Sequence, residues 1–305
     1  MGIKQDYTAS LNAIAARYGK MEDATIEKIW RLLDRTRAEI NQRILSASES
    51  DLHNLRLQKD QINDLLVQFS ERANTDLQRA IRAAYADGGQ SVVDPLRKVG
   101  FEGAFFRPSR AQLNTLVDFS SSLISGITEP LRQNVDLQLQ QIALGQTSPF
   151  AAMQSLTKKF GNHGVKQGKF VASGVSAKAE MDVRTELQRV FNISEHSQQQ
   201  RTAEDVPGLM KAWIATADNR TRKGHLRAHR DYHSNPIPVA EKFKVYDISK
   251  SGAVKGHAFL MYPLDPNVPP QYTINCRCRT ATIHPLVGAI GSSLDGRIAQ
   301  MLEKK

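Results

Sequence analysis

Apolar side chains recur on a helical period through the first half of the chain, and this repeat constrains the fold more than any other feature. Ile26, Ile29, Trp30, Leu33, Ile40 and Ile44 share one face of a helix if residues 21–46 are helical. Leu52, Leu55, Ile62, Leu65, Leu66 and Phe69 form a second such stripe within 51–72. An apolar stripe must be buried against another element. The two segments are therefore expected to pair as a long antiparallel hairpin turning near Ser46-Ala47-Ser48, with Asp51 capping the second helix. A third helix is expected over 75–86, stopped by Gly88-Gly89.

The pattern breaks at Val99–Pro108, where two glycines, a proline and three aromatic residues read as a loop packed on the core. Helical spacing resumes from Ala111 to about Leu144, with a kink expected at Gly126 or Pro130. Ser148-Pro149 has the form of an N-cap and first helical residue for a helix ending at Phe160. The glycines between 161 and 168 mark a turn, and a polar helix is expected over 176–191. The segment Ser194–Arg201 is polar and lacks large apolar residues. It is the preferred boundary between a region 1–200 and a region 201–305.

Beyond residue 205 the texture changes. Leu209–Ala217 suits a buried strand or short helix, and Asn219–His233 favours a helix. Lys242–Tyr246 and Tyr272–Cys276 alternate polar and apolar residues, as half-buried strands do. Thr280–Ile283 reads as a further strand and Ala299–Leu302 as part of a last helix. The expected class is α+β: an elongated, mainly helical N-terminal stalk followed by a small basic α+β domain.

Charge divides along the same line. Residues 206–305 carry 15 Lys and Arg against 7 Asp and Glu, a net of +8, whereas residues 1–205 carry +2 of the chain's +10. A basic module attracts polyanions by counterion release, which makes nucleic acid a natural partner; the alternative is that the charge serves solubility. Arg227, Arg230, Arg277 and Arg279 are the expected phosphate contacts. No apolar run approaches the roughly 20 residues needed to cross a bilayer. The first residues lack the apolar core of a secretory signal, and two cysteines one residue apart make no disulfide framework. Synthesis in a reducing cytoplasm is expected.

Two blocks in this basic region concentrate chemistry-bearing residues. The first contains Trp213, Asp218, Arg220, Arg222 and His225; the second is Asn275-Cys276-Arg277-Cys278. From the residues alone, Asp218 suits an N-cap, with Arg222 and His225 three apart on the helix behind it. The cluster then reads as structural, as a phosphate clamp, or as an acid–base pair. No nucleophile beside a base, no carboxylate pair and no phosphate-cradling glycine loop accompanies it, so no catalytic residue is assigned. On a strand, Cys276 and Cys278 would face one side. With His225 and His229, one turn apart on a helix, they would make a tetrahedral zinc set; a packed thiol pair without metal is the other reading. His233, His257 and His284 offer further imidazoles without a defined geometry.

Taken together and in this order, the blocks resemble the signature of the phage Mu F-like head-morphogenesis family, a Trp…Asp-x-Arg-x-Arg-x-x-His segment followed by Asn-Cys-Arg-Cys. The resemblance covers the last third of the chain. It departs after His225, where relatives tend to have a glycine turn and this chain has Arg227-Ala-His229-Arg230-Asp231. It implies a minor head protein of a tailed phage, associated with the portal and other head proteins. Such a protein would be made in the host cytoplasm and carried in the capsid interior, where it could meet packaged DNA and take part in its ejection. Two alternatives belong to other classes: a nuclease-like or toxin-like effector enzyme, and a DNA-binding scaffold or packaging factor that leaves before maturation.

Overall fold

The computed structural model describes residues 3–46, 52–101, 104–166, 169–216, 218 and 220–285. Within them the chain is α+β. Four helices come first, α1 (Ile3–Leu45), α2 (Leu52–Lys98), α3 (Arg110–Ala143) and α4 (Pro149–Phe160). A hairpin of β1 (His163–Lys166) and β2 (Lys169–Ala172) leads into α5 (Gly174–Asp205). The remainder holds β3 (Met210–Ile214), α6 (Lys223–His233), β4 (Ile237–Pro238), β5 (Phe243–Ile248), β6 (Val254–Leu260) and β7 (Arg279–Ile283). No helix among these residues is long and apolar enough to cross a membrane. The chain forms two compact units, one of residues 22–80 and 114–184, the other of residues 1–21, 81–113 and 185–305.

The first unit is built on the apolar stripes. Ile26, Ile29, Trp30, Leu33, Ile40 and Ile44 are buried, as are Leu55, Ile62, Leu66 and Phe69 on α2. Helix α3 contributes Leu116, Ile124, Ile127, Leu131, Val135 and Ile142 and runs unbroken through Gly126 and Pro130. Ser148 caps α4 as expected, its hydroxyl accepting from the Ala151 amide at 3.2 Å, with Pro149 in the first turn. Trp30 stacks on His163 at 4.6 Å, and its indole N–H donates to the Ser176 carbonyl at 3.0 Å. Arg184 forms a buried ion pair with Glu22 and lies 3.5 Å from Glu180.

The second unit holds the three-stranded antiparallel sheet β4-β3-β7 and the antiparallel ribbon β5-β6. Its core has two parts. One joins Tyr7, Val92, Val93 and Leu96 to Leu209, Ala212, Ala281 and Ile283, and the Tyr7 hydroxyl donates to the Thr282 carbonyl. The other surrounds Trp213 with Leu226, Phe243, Val245, Leu260, Cys276 and Cys278.

Three expectations are corrected. Gly88-Gly89 does not stop a helix, because 75–86 lies inside α2. A Cβ on Gly88 would fall 2.2 Å from the Phe191 carbonyl oxygen, and one on Gly89 would fall 1.9 Å from the Phe106 ring. These glycines serve close packing rather than chain reversal. The segment Ser194–Arg201, expected as the boundary between two regions, lies inside α5, with Ser194, Glu195, Gln198 and Gln199 buried. Ser194 donates to the Tyr85 carbonyl, Gln198 to the Phe105 carbonyl and Gln199 to the Thr282 hydroxyl. Its polarity satisfies interior backbone and hydroxyl groups rather than water. Tyr272–Cys276 is not a strand: a 3-10 turn over Pro270–Tyr272 runs into further turns, and Asn275 takes a positive φ of 57°. The chain reverses in the region of the expected glycine turn, through the antiparallel hairpin β1-β2. Asp51, Ala47-Ser48 and 299–302 lie outside the described residues.

Candidate functional site

Strand pairing brings the two motif blocks together. Strand β3 runs antiparallel to β7, with Trp213 opposite Thr280 and Ile214 opposite Arg279. The Cys276–Cys278 segment just before β7 therefore meets the chain leaving β3 toward α6. Helix α6 is held close to the ribbon by Gly224, where a Cβ would lie 1.7 Å from the Tyr246 carbonyl oxygen. The residue after it, His225, enters the Trp213 core and meets the Trp213 ring edge-on at 5.5 Å.

Asp218 does not cap α6. The N-cap position belongs to Arg222, which makes no side-chain cap. The Asp218 carboxylate instead closes the preceding turn, accepting from the Arg220 amide at 3.0 Å and the Thr221 hydroxyl at 3.1 Å. Across the blocks, Arg277 Nη2 reaches both Asp218 carboxylate oxygens, at 2.6 and 2.5 Å. Partial burial pushes the Asp218 carboxyl up, but the Arg277 hydrogen bond and charge outweigh it and hold the group below its ordinary range. Arg222 donates to the Ile274 carbonyl, a second tie between the blocks. Arg220 is half-exposed and lies 3.9 Å from Asp218.

Beside this pair, His225, Cys276 and Cys278 form one buried cluster. His225 Nδ1 is 3.3 Å from Cys276 Sγ and 3.4 Å from Cys278 Sγ, and all three donor atoms lie within 4.8 Å of one another. The Cys278 amide also donates to Cys276 Sγ, at 3.4 Å. Burial opposes thiolate at Cys276, yet hydrogen bonding from Cys278 and the charge and hydrogen bond of His225 outweigh it and carry that thiol well below its usual range. Burial and the neighbouring Cys276 push Cys278 the other way. The donor set, two sulfurs and a ring nitrogen, suits a borderline-soft divalent ion such as zinc.

His229 is not part of it. Its Nδ1 faces the Trp213 carbonyl at 3.0 Å and the Ala215 amide at 3.3 Å, and its ring stacks on His233. The four-residue zinc set thus reduces to three. The arginines expected on DNA also divide. Arg277 is spent on Asp218, and half-buried Arg279 is the countercharge acting on buried Glu195. Arg227 lies 3.9 Å above the Tyr246 ring and 3.4 Å from Asp231. Arg230 is exposed, 3.2 Å from Asp231.

Several charged groups of this unit escaped the reading of the sequence because they sit in segments that look merely polar or apolar. Burial raises the Glu195 carboxyl to about 7, although the Thr280 hydroxyl donates to it at 2.7 Å. Lys211, at the start of β3, is buried and donates to the Met261 carbonyl at 2.7 Å; desolvation lowers it to about 8. Burial, and then the Lys211 charge, bring His196 down to about 4. Period alone carries no signal for these positions. No family model, curated protein or solved structure matches this chain.

Proposed function

We propose that this chain is a minor head protein of a tailed phage, held in the capsid interior near the portal and acting in head morphogenesis. One observation carries the reading. The two blocks that resemble the Mu F-like signature are fifty residues apart in sequence, yet Asp218 binds Arg277 and His225 faces both cysteines. Chance matches of short motifs have no reason to converge in space. These residues are occupied with one another, with Asp218 closing a turn and Arg222 holding a backbone carbonyl, which favours an architectural role over acid–base chemistry. Exposed basic residues of this region, among them Arg230, Lys242, Lys250 and Lys255, suit contact with packaged DNA. The reading is tested by quantitative mass spectrometry of mature heads and procapsids from an infection that produces this protein. Low-copy retention in both particles is expected. Presence only in procapsids would point to a transient scaffold or packaging factor, and absence from both would end the head-protein reading.

A further inference from the structure

We propose that His225, Cys276 and Cys278 bind a single zinc-class ion through Nδ1 and two Sγ atoms, with a water molecule completing a tetrahedron. This inference stands on the donor geometry and does not depend on the head-protein reading.

Zn–S bonds of about 2.3 Å and Zn–N bonds of about 2.0–2.1 Å at a tetrahedral angle separate sulfur from nitrogen by about 3.5 Å. The two separations here are 3.3 and 3.4 Å, so a slight opening of the donors seats one ion between the nitrogen and both sulfurs. All three residues are buried, at 2–3% exposure. The backbone supplies what such a site needs around it. The Cys278 amide points at Cys276 Sγ, as a donor stabilising thiolate charge does. Trp213 and Leu226 belong to the apolar cluster that contains the two sulfurs.

The arrangement also explains the local chain path. Gly224 lets α6 approach β5 closely enough to deliver His225. The turns through Thr273–Asn275, with the Cys276 amide bonded to the Thr273 carbonyl, present both thiols to one point. An ion there would join the start of α6 to the 276–278 segment that leads into β7, beside the Asp218–Arg277 pair and the Arg222–Ile274 contact. Two thiols and a neutral imidazole take up a divalent ion by releasing the thiol protons to solvent, and no electron is transferred.

The test uses the full, tag-free chain purified under reducing conditions. Elemental analysis is expected to find one zinc per chain. Removing it with a strong chelator should lower the melting temperature by several degrees, and added zinc should restore it. Cobalt(II) loading of the stripped protein should give the visible d–d bands of a tetrahedral site and sulfur-to-cobalt charge transfer. This readout needs no variant. Cys276→Ser and Cys278→Ser should each weaken zinc binding at least tenfold, whereas His229→Ala should retain the full equivalent. The proposal is overturned if the reduced protein stays metal-free in excess zinc with an unchanged melting temperature. It is equally overturned if a Cys276→Ala/Cys278→Ala chain keeps its zinc, or if cobalt spectra lack sulfur charge transfer.

Discussion

Arg277 Nη2 lies 2.6 and 2.5 Å from the two carboxylate oxygens of Asp218, joining positions 59 residues apart. Both side chains are shielded, at 16% and 22% exposure. Asp218→Ala strands the guanidinium, and Arg277→Ala strands a carboxylate that also closes the turn before α6. A double-mutant cycle by chemical denaturation should return a coupling of roughly 1–3 kcal/mol. The folded-state pKa of Asp218 is depressed, so its contribution is present above the ordinary carboxylate pKa and is lost as pH falls below that range. The coupling should therefore be intact at pH 7 and shrink toward pH 3. A coupling near zero at pH 7 would show that the contact does not hold the blocks together.

Gly224→Ala should be severe and Gly126→Ala mild or favourable. The first Cβ would meet the Tyr246 carbonyl oxygen at 1.7 Å, so α6 must move off β5; overpacking of this kind costs about 1–3 kcal/mol. The second meets nothing within 4 Å in exposed mid-helix, where alanine gains about 0.5–1 kcal/mol over glycine. Thermal melts of the two variants check the contrast. Equal effects would contradict the close approach that positions His225.

Glu195 predicts a pH signature. Its folded pKa is raised from 4.5 to about 7. Below pH 4.5 both folded and unfolded states hold the proton and nothing is lost. Between about 4.5 and 7 the unfolded state ionises first, and stability falls by up to about 3 kcal/mol. Glu195→Gln keeps an acceptor for the Thr280 hydroxyl and removes the titration. The variant should match the parent near pH 4.5 and exceed its melting temperature at pH 8. A pH-independent difference would mean that Glu195 is not held neutral.

If the exposed basic residues meet DNA, Arg230→Ala should weaken binding and flatten the salt dependence by about one unit per lost phosphate contact. Arg227→Ala would mix this loss with the removal of its stacking on Tyr246. Arg277→Ala should lower stability without a comparable change in salt slope. Filter binding across a salt series, beside melts of each variant, separates these outcomes. Failure of the parent protein to bind DNA at low salt would remove the DNA contact.

What could be read beforehand follows from which physical signals are local. Apolar period placed the buried faces of α1 and α2, and a Ser-Pro pair located the start of α4, because each depends only on neighbours in sequence. Gly88 and Gly89 misled because their role lies in contacts with Phe191 and Phe106, far along the chain. The polarity around Gln198 and Gln199 suggests a boundary because composition cannot distinguish water from buried carbonyls and hydroxyls as partners. At the site, the pairing of His225 with the two cysteines was legible, but inclusion of His229 was not sound. A shared helix face does not specify which ring nitrogen a backbone carbonyl will claim.

We propose that the two motif blocks form one architectural unit on which head assembly depends. This is tested most directly by measuring the melting temperature of His225→Ala and, in parallel, its incorporation into heads. Both are expected to fall together, since His225 faces Cys276 and Cys278 in the buried cluster. Unchanged melting and incorporation combined with loss of infectivity would contradict it, and would assign His225 a chemical or ejection-stage role instead.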